Sequence, residues 1–334
     1  MRGVCRHSTR PARRPVRGVT CATYARSVPS VPPRVLVSGP VAWNLTVRVG
    51  ALPEPRPHTV LADGWSDGIG GTSAGKAVTL RALGIDVVLR TVLGEDEAAS
   101  HIRGALERPG LEVVALPAAG RSSERHVNLV ADDGARLSVY LTLPDAVEPP
   151  TARPLADLLA GADAAVVDLA EHSRRVLAAA RAAGVPVWCD VHDDDGVGEY
   201  ARAFTAAADV VVASAVRLDD PAAYLRARIA EGARVAVCTR GAAGALALAA
   251  DDLGEHWYEV GPAPVHEVLQ AEGAGDAFTA GLLWATLAGE PVPRALAVAS
   301  ATGGVAVAGP GLAAPYASPS TVRALADRVV VMAR

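Results

Sequence analysis

From Val35 onward, short β-rich runs alternate with alanine-rich stretches of helical length, and this alternation restricts the fold more than any other feature. The spacing predicts strands at Val35–Ser38, Asp86–Val92, Ala164–Leu169, Val185–Asp190, Asp209–Ala213, Val235–Thr239 and Ala245–Ala249. Between and after them it predicts helices at Ala74–Leu83, Glu95–Glu107, Ser173–Ala183, Ala222–Glu231, Gly275–Leu287 and Thr321–Val330. Strands alternating with helices imply a mainly parallel sheet covered on both faces, an α/β fold with three layers. Two sections break the rhythm, residues 46–66 and 122–142, which read as paired extended segments. In the second, Asp132-Asp133-Gly134 separates two alternating runs as a hairpin turn would. Small β pieces inserted in an α/β domain serve as lids over a site at the strand ends.

A chain of 334 residues with 50% hydrophobic content can bury a large core. The formal net charge of −4 gives no electrostatic reason to expect nucleic acid, and no segment is long and apolar enough to cross a bilayer. Cys5, Cys21, Cys189 and Cys238 show no metal-type spacing or paired framework, which favours a reducing, cytoplasmic setting. Residues 1–33 carry many arginines, several prolines and no acid, so they are expected to be a disordered basic extension. No linker divides the remainder, and residues 34–334 are expected to be a single domain with its lid segments.

Three glycine-containing clusters carry the chemistry. In Gly273-Ala274-Gly275-Asp276-Ala277-Phe278 a small-residue turn opens an apolar helix. The unpaired N–H groups at such a start converge on an anion, and Asp276 stands beside them, placed to take a proton from an attacking hydroxyl. The same pattern also suits an ordinary helix start with a dipole-favouring acid. In Gly70-Gly71-Thr72-Ser73-Ala74-Gly75-Lys76-Ala77, the interval from Gly70 to Lys76 has P-loop spacing, but Ala77 stands where a magnesium-ligating Ser or Thr belongs. Lys76 is the only lysine of the chain, and Asn44 and Asn128 are its only asparagines. The third cluster, Thr239-Arg240-Gly241-Ala242-Ala243-Gly244, joins two strands and reads either as a tight turn or as one wall of a nucleotide site. Asp190 ends a strand at the edge where α/β sites form, and could act on magnesium or substrate through water.

These pieces, in this order and after a first strand ending Val37-Ser38-Gly39, resemble the ribokinase/PfkB family of sugar and nucleoside kinases over about residues 34–330. The resemblance implies a ribokinase-like α/β/α sandwich with a small β lid, and ATP-dependent phosphorylation of a hydroxyl on a sugar or sugar-like acceptor, with Mg²⁺. It implies Asp276 as the base and Gly273, Ala274 and Gly275 as the anion hole. Gly70, Gly71, Gly75, Lys76, Asn44 and Asn128 fall on the acceptor side, and Thr239, Gly241 and Gly244 on the ATP side. A homodimer through the β lid is a further expectation. The chain departs from the family pattern at four places: Asn44 for a common Asp, Gly75 followed by Lys76 for the loop asparagine, Ser214 to Arg217 for Asn-x-x-Glu, and Gln270-Ala271 for Asp-Thr. A nucleoside kinase and a non-catalytic sugar or nucleotide sensor are the competing readings.

Overall fold

The structure is a computed structural model that describes residues 31–334, so most of the expected basic extension lies outside the described residues. In chain order the elements begin with β1 (Arg34–Ser38), β2 (Ala42–Val49), β3 (Gly64–Gly70), α1 (Thr72–Ala82), β4 (Asp86–Leu93), α2 (Glu97–Glu107), β5 (Glu112–Pro117), β6 (Glu124–Ala131) and β7 (Arg136–Thr142). They continue with α3 (Leu155–Leu159), β8 (Ala164–Val167), α4 (Arg174–Ala183), β9 (Val187–Asp190), α5 (Glu199–Thr205), β10 (Val210–Ser214), α6 (Pro221–Glu231), β11 (Val235–Thr239), β12 (Ala245–Asp251) and β13 (Gly254–Val260). The last are α7 (Ala274–Leu287), α8 (Val292–Val307), α9 (Pro319–Ala326) and β14 (Val331–Ala333).

Ten strands form one sheet in the order β14-β13-β12-β11-β10-β9-β8-β1-β4-β5. It is parallel from β11 to β5 and antiparallel among β11, β12, β13 and β14. Period-two alternation sends neighbouring residues to opposite faces. Val35, Val37, Val166, Trp188, Val210 and Val212 join the core under α1, α2, α7, α8 and α9. Leu36, Ala165, Val167, Cys189 and Val211 join a second core under α3 to α6. Both faces are therefore covered, as a parallel sheet requires. Local signals set the helix starts: Asp96 caps α2 by accepting from Ala99 N at 3.0 Å, and Asp220 caps α6 ahead of Pro221 by accepting from Ala223 N at 2.9 Å.

The two irregular sections form a separate small sheet in the order β3-β2-β6-β7. Its outer pairs are antiparallel, and its central pair, β2 with β6, is parallel. Strands were expected across residues 46–66; they instead occupy Ala42–Val49 and Gly64–Gly70, with no strand between. The expected turn at Asp132-Asp133-Gly134 is present, closed by Gly134 N donating to Ala131 O at 2.9 Å. Because β2 follows β1 after three residues and β3 runs into α1, the small sheet is anchored at the edge where β1, β8, β9, β10 and β11 end.

Candidate active site

Two parallel strands deliver acids to that edge. Alternation along β9 puts Trp188 in the α1/α7 core and Asp190 on the same side, while Asp168 follows Val166 and Val167 in the same phase after β8. Asp168 and Asp190 are both buried. Two helix starts meet them from the other side, α1 with Thr72 and Lys76 and α7 with Asp276. Thr72 and Lys76 are one turn apart on α1, so both side chains reach the same point.

Lys76 Nζ sits 2.8 Å from Asp276 Oδ1 and 3.1 Å from both Asp168 Oδ1 and Asp190 Oδ2, with no surface open to solvent. It also donates to Thr72 Oγ1, which in turn donates to Asp276 Oδ1 at 2.5 Å. Asp168 Oδ2 accepts from Ser73 Oγ at 2.6 Å, and Asp190 Oδ2 accepts from Thr279 Oγ1 at 3.1 Å. Burial alone would push the ammonium toward neutrality, but Asp168, Asp190 and Asp276 outweigh it and hold the Lys76 pKa well above that of an ordinary lysine. Burial raises Asp168 above the usual carboxylate range despite Lys76. At Asp190 burial pushes the same way, but Lys76 and then His192 overcome it and leave the carboxyl below its ordinary value.

Asp276 occupies the first turn of α7, whose N-cap Gly273 supplies no side-chain acceptor; of the amides of residues 273–276 only that of Ala274 has a partner among the described residues, Ala271 O at 3.4 Å, and the other three keep their anion-binding capacity. Gly273 adopts φ 74°, and a Cβ there would lie 2.4 Å from Ala313 N. Glycine is thus required twice over, by backbone conformation and by close approach. Gly75 is demanded by space alone: a Cβ on it would stand 2.9 Å from Asp276 Oδ2. With Oδ1 held by Thr72 and Lys76, Oδ2 is the carboxylate oxygen that takes no hydrogen bond among the described residues.

The structure brings Gly75, Lys76, Asp190 and Gly273 to Asp276 into one cluster. Lys76, expected on the acceptor side, is buried beneath the carboxylates, and α1 begins at Thr72, so the segment from Gly70 to Lys76 is a strand end and a helix turn and not a P-loop. Asn44 lies on β2 over Gly70, where a Cβ would fall 2.1 Å from Asn44 Nδ2. Its buried Oδ1 has no hydrogen-bond partner. Gly71 is the N-cap of α1. Asn128 is buried two residues beyond His126, farther out on the small sheet. Thr239 ends β11 in register with Ser214, donating to Ala213 O at 3.3 Å, and Gly241 and Gly244 form the turn into β12. Among the described residues, no hydrogen bond or ion pair joins this turn or Asn128 to the Asp276 cluster.

Sequence reasoning passed over Asp168, Thr72, Thr279 and His192. Asp168 ends the apolar run Ala164-Ala165-Val166-Val167 just as Asp190 ends Val187-Trp188-Cys189, and that shared signal could have found it. His192 has φ 53°, a left-handed conformation uncommon outside glycine, and its amide donates to Asp190 Oδ1 at 3.1 Å. One ligand atom each from Asp190, His192 and Asp276 lies within 4.8 Å of the others, a grouping able to approach a cation. The donor set fits Mg²⁺ through water better than directly, because Lys76 already engages both carboxylates and an imidazole nitrogen is a poor ligand for so hard a cation.

A cleft of about 920 Å³ is lined by Thr72 and His192 of the cluster, by Glu124 and Tyr140 of the small sheet, and by Arg90, His172 and Tyr200. Burial, with Arg90 beside it, pushes the His172 pKa down to about 4, so this imidazole is neutral at pH 7.

The model of the pfkB family carbohydrate kinases matches residues 35–319. An acarbose 7(IV)-phosphotransferase from Actinoplanes sp. is 34% identical over 275 residues, covering 81% of this chain and 91% of the relative. An ATP-dependent ribose-1-phosphate kinase from Halopiger xanaduensis is 31% identical over 280 residues, covering 81% and 90%. Among solved structures, the microbiome-derived acarbose kinase Mak1 superposes with a TM-score of 0.75 at 28% identity, covering 89% of this chain and 100% of that one. Arabidopsis thaliana ribokinase, at 18% identity and a TM-score of 0.69, shares the fold over 89% of this chain and 99% of its own. The large sheet, the small sheet beside its strand ends and the α7 start with its acid are thus found in a chain that belongs to the pfkB family of carbohydrate kinases.

Proposed function

We propose that this chain transfers the γ-phosphoryl group of ATP to a hydroxyl of a sugar or sugar-like acceptor, with Asp276 as the general base. One observation carries the reading: Asp276 stands in the first turn of α7 with Oδ1 fixed by Thr72 and Lys76 and Oδ2 unengaged. The acceptor O–H gives its proton to Oδ2 as that oxygen bonds to the γ-phosphorus, and the bond from phosphorus to the bridging oxygen breaks to release ADP. The amides of residues 273–276 face the charge on the transferring group. Asn44 supports the acceptor through its unpartnered Oδ1, Gly70 and Gly71 keep backbone close to it, and Asn128 lies on the same side of the small sheet. The turn bearing Thr239, Gly241 and Gly244 lies against the nucleotide. Asp190, His192 and Asp276 would hold Mg²⁺ through water, and the ion would neutralise phosphate charge when bound.

The kinase domain in this reading is residues 34–334, acts in the cytoplasm and pairs through the small sheet, with residues 1–33 as a basic extension. Among the described residues, no helix is long and apolar enough to cross a membrane. A binding-only sensor is favoured by one observation: Arg217 stands where the family carries an acid, and pairs with Asp195 at 3.2 Å. An ATP-consumption screen across pentoses, hexoses, acidic sugars, nucleosides, ribose 1-phosphate and acarbose separates the readings. The kinase turns over at least one sugar acceptor; binding of an acceptor with no turnover of any would establish the sensor.

A further inference from the structure

Of the three acids around Lys76, Asp168 alone stands outside the grouping suited to a cation. It has no exposed surface and is not among the residues that line the cleft, so it acts only through its neighbours. Its two oxygens have one neighbour each. Oδ2 accepts from Ser73 Oγ at 2.6 Å, and Oδ1, on which no hydrogen bond is aligned, faces the Lys76 ammonium as an ion pair at 3.1 Å. Both partners belong to α1, where Ser73 and Thr72 lie three and four residues before Lys76 and so adjoin it on the helix surface. The acid itself is fixed to the large sheet: it follows β8, which lies between β1 and β9, and its amide donates to Ser38 O of β1 at 2.9 Å. Gly39 leaves the space, since a Cβ there would lie 2.2 Å from Ser73 Oγ and 2.8 Å from Asp168 Cβ.

From Lys76 the contacts run on to Asp276. An ammonium has three N–H donors. One is aligned on Asp276 Oδ1 at 2.8 Å and one on Thr72 Oγ1, and Thr72 donates to the same Oδ1. The direction of Oδ2 therefore depends on where the ammonium sits. A compact charge on a flexible four-carbon stem does not hold one point unaided. The charges of Asp168 and Asp190, each 3.1 Å away, hold it here. Asp190 is shared with Thr279, which leaves Asp168 as the carboxylate whose only ionic partner among the described residues is the lysine. Stability does not by itself explain such an arrangement, because packed apolar residues often replace a buried ion pair at no cost. Orientation of the exposed end of the cluster does explain it.

We propose that Asp168 is a positioning residue for phosphoryl transfer: it fixes the Lys76 ammonium from the sheet, and the ammonium fixes the Asp276 carboxylate with Oδ2 free for the acceptor hydroxyl. The second link rests on the kinase reading; the first, between Asp168 and Lys76, does not. Because Lys76 is the only lysine of the chain, labelling with ¹⁵N-lysine gives a single ammonium signal, and the two links are read separately. Asp168→Asn keeps the shape of the side chain and its acceptor for Ser73 while removing the charge; there hydrogen exchange of the ammonium should accelerate by about tenfold or more over wild type. Single-turnover transfer should fall by about 10- to 100-fold, the scale on which a displaced reacting group is felt, with ATP and acceptor affinities within about threefold. Added to Asp276→Asn, the same change should slow the residual transfer by less than about twofold, since the group it acts on is already lost. Ser73→Ala, which frees Asp168 Oδ2 and leaves its charge, should give the same pattern at smaller size and serves if Asp168→Asn does not fold by circular dichroism. An ammonium signal that exchanges as in wild type overturns the first link and the proposal with it. Faster exchange with wild-type transfer, or an equal loss with and without the Asp276 carboxylate, overturns the second. A wild type that phosphorylates no acceptor removes the kinase reading and the positioning role together, and the ammonium signal still decides whether Asp168 holds Lys76.

Discussion

Lys76 is the residue on which the site's electrostatics turn. One ammonium without solvent contact lies within 3.1 Å of three carboxylates, so its removal leaves buried negative charges facing one another. Breaking a buried ion pair from one side costs about 3 to 5 kcal/mol, and Lys76→Met should lower unfolding stability by about that much in urea titrations. A change below about 1 kcal/mol would mean that the acids are protonated or solvated instead. His172 gives a pH dependence. Its folded pKa of about 4 lies below the unfolded value of 6.5. The unfolded chain therefore binds the extra proton, and stability is full above pH 6.5 and lost as pH falls toward 4. The loss reaches at most about 3.5 kcal/mol at roughly 1.4 kcal/mol per pKa unit. His172→Gln should flatten the stability profile over that interval, and an unchanged slope would show that other groups set it.

At the scale of elements, helices α7 and α8 pack closely against one another. Both are alanine- and glycine-rich and buried over most of their length. A Cβ on Gly281 would lie 2.3 Å from Thr302 Oγ1 and 3.2 Å from Val298 O, so the helices approach through the missing side chain. Gly281→Ala should improve helix propensity by about 1 kcal/mol yet destabilise overall by ~1 to 3 kcal/mol through overpacking. A higher melting temperature would contradict that packing. The same burial explains why α8 was illegible in the sequence while α7 was not. A helix apolar all round shows no amphipathic stripe, and Gly303-Gly304 breaks its pattern further. The glycine start and the stop at Gly289 gave α7 away. Strands β1, β4, β8, β9, β10, β11 and β12 were readable as short apolar runs, and Asp190 stood out at the end of one. Asp168 did not, because it was taken as part of its strand, and the function of Lys76 depends on three acids that come from distant parts of the chain.

For the whole molecule, the small sheet divides its two faces by chemistry. Asn44, His126 and Tyr140 lie in one cross-strand row, of which Tyr140 lines the cleft, whereas Trp65, Val47, Leu129 and Leu137 form a row on the opposite face, next to Leu45, Val127 and Val139. Trp65, Leu137, Val139 and Leu141 are exposed, an apolar surface of the kind that marks an interaction site. The proposed homodimer through this sheet should sediment as a dimer, and Val139→Asp should yield monomer with the fold intact. A wild-type monomer at micromolar concentration would rule that pairing out. The sheet would then serve the cleft alone, and the apolar row would need another explanation.

The central claim is that one carboxylate oxygen at the start of α7 accepts the acceptor's proton while Thr72 and Lys76 hold its twin. Single-turnover phosphoryl transfer, with ATP affinity measured alongside on wild type and Asp276→Asn, tests this most directly. Transfer in the variant should slow by ~10²- to 10⁴-fold, the range of general-base assistance, with ATP affinity within threefold of wild type. Transfer at the wild-type rate in Asp276→Asn would contradict the account.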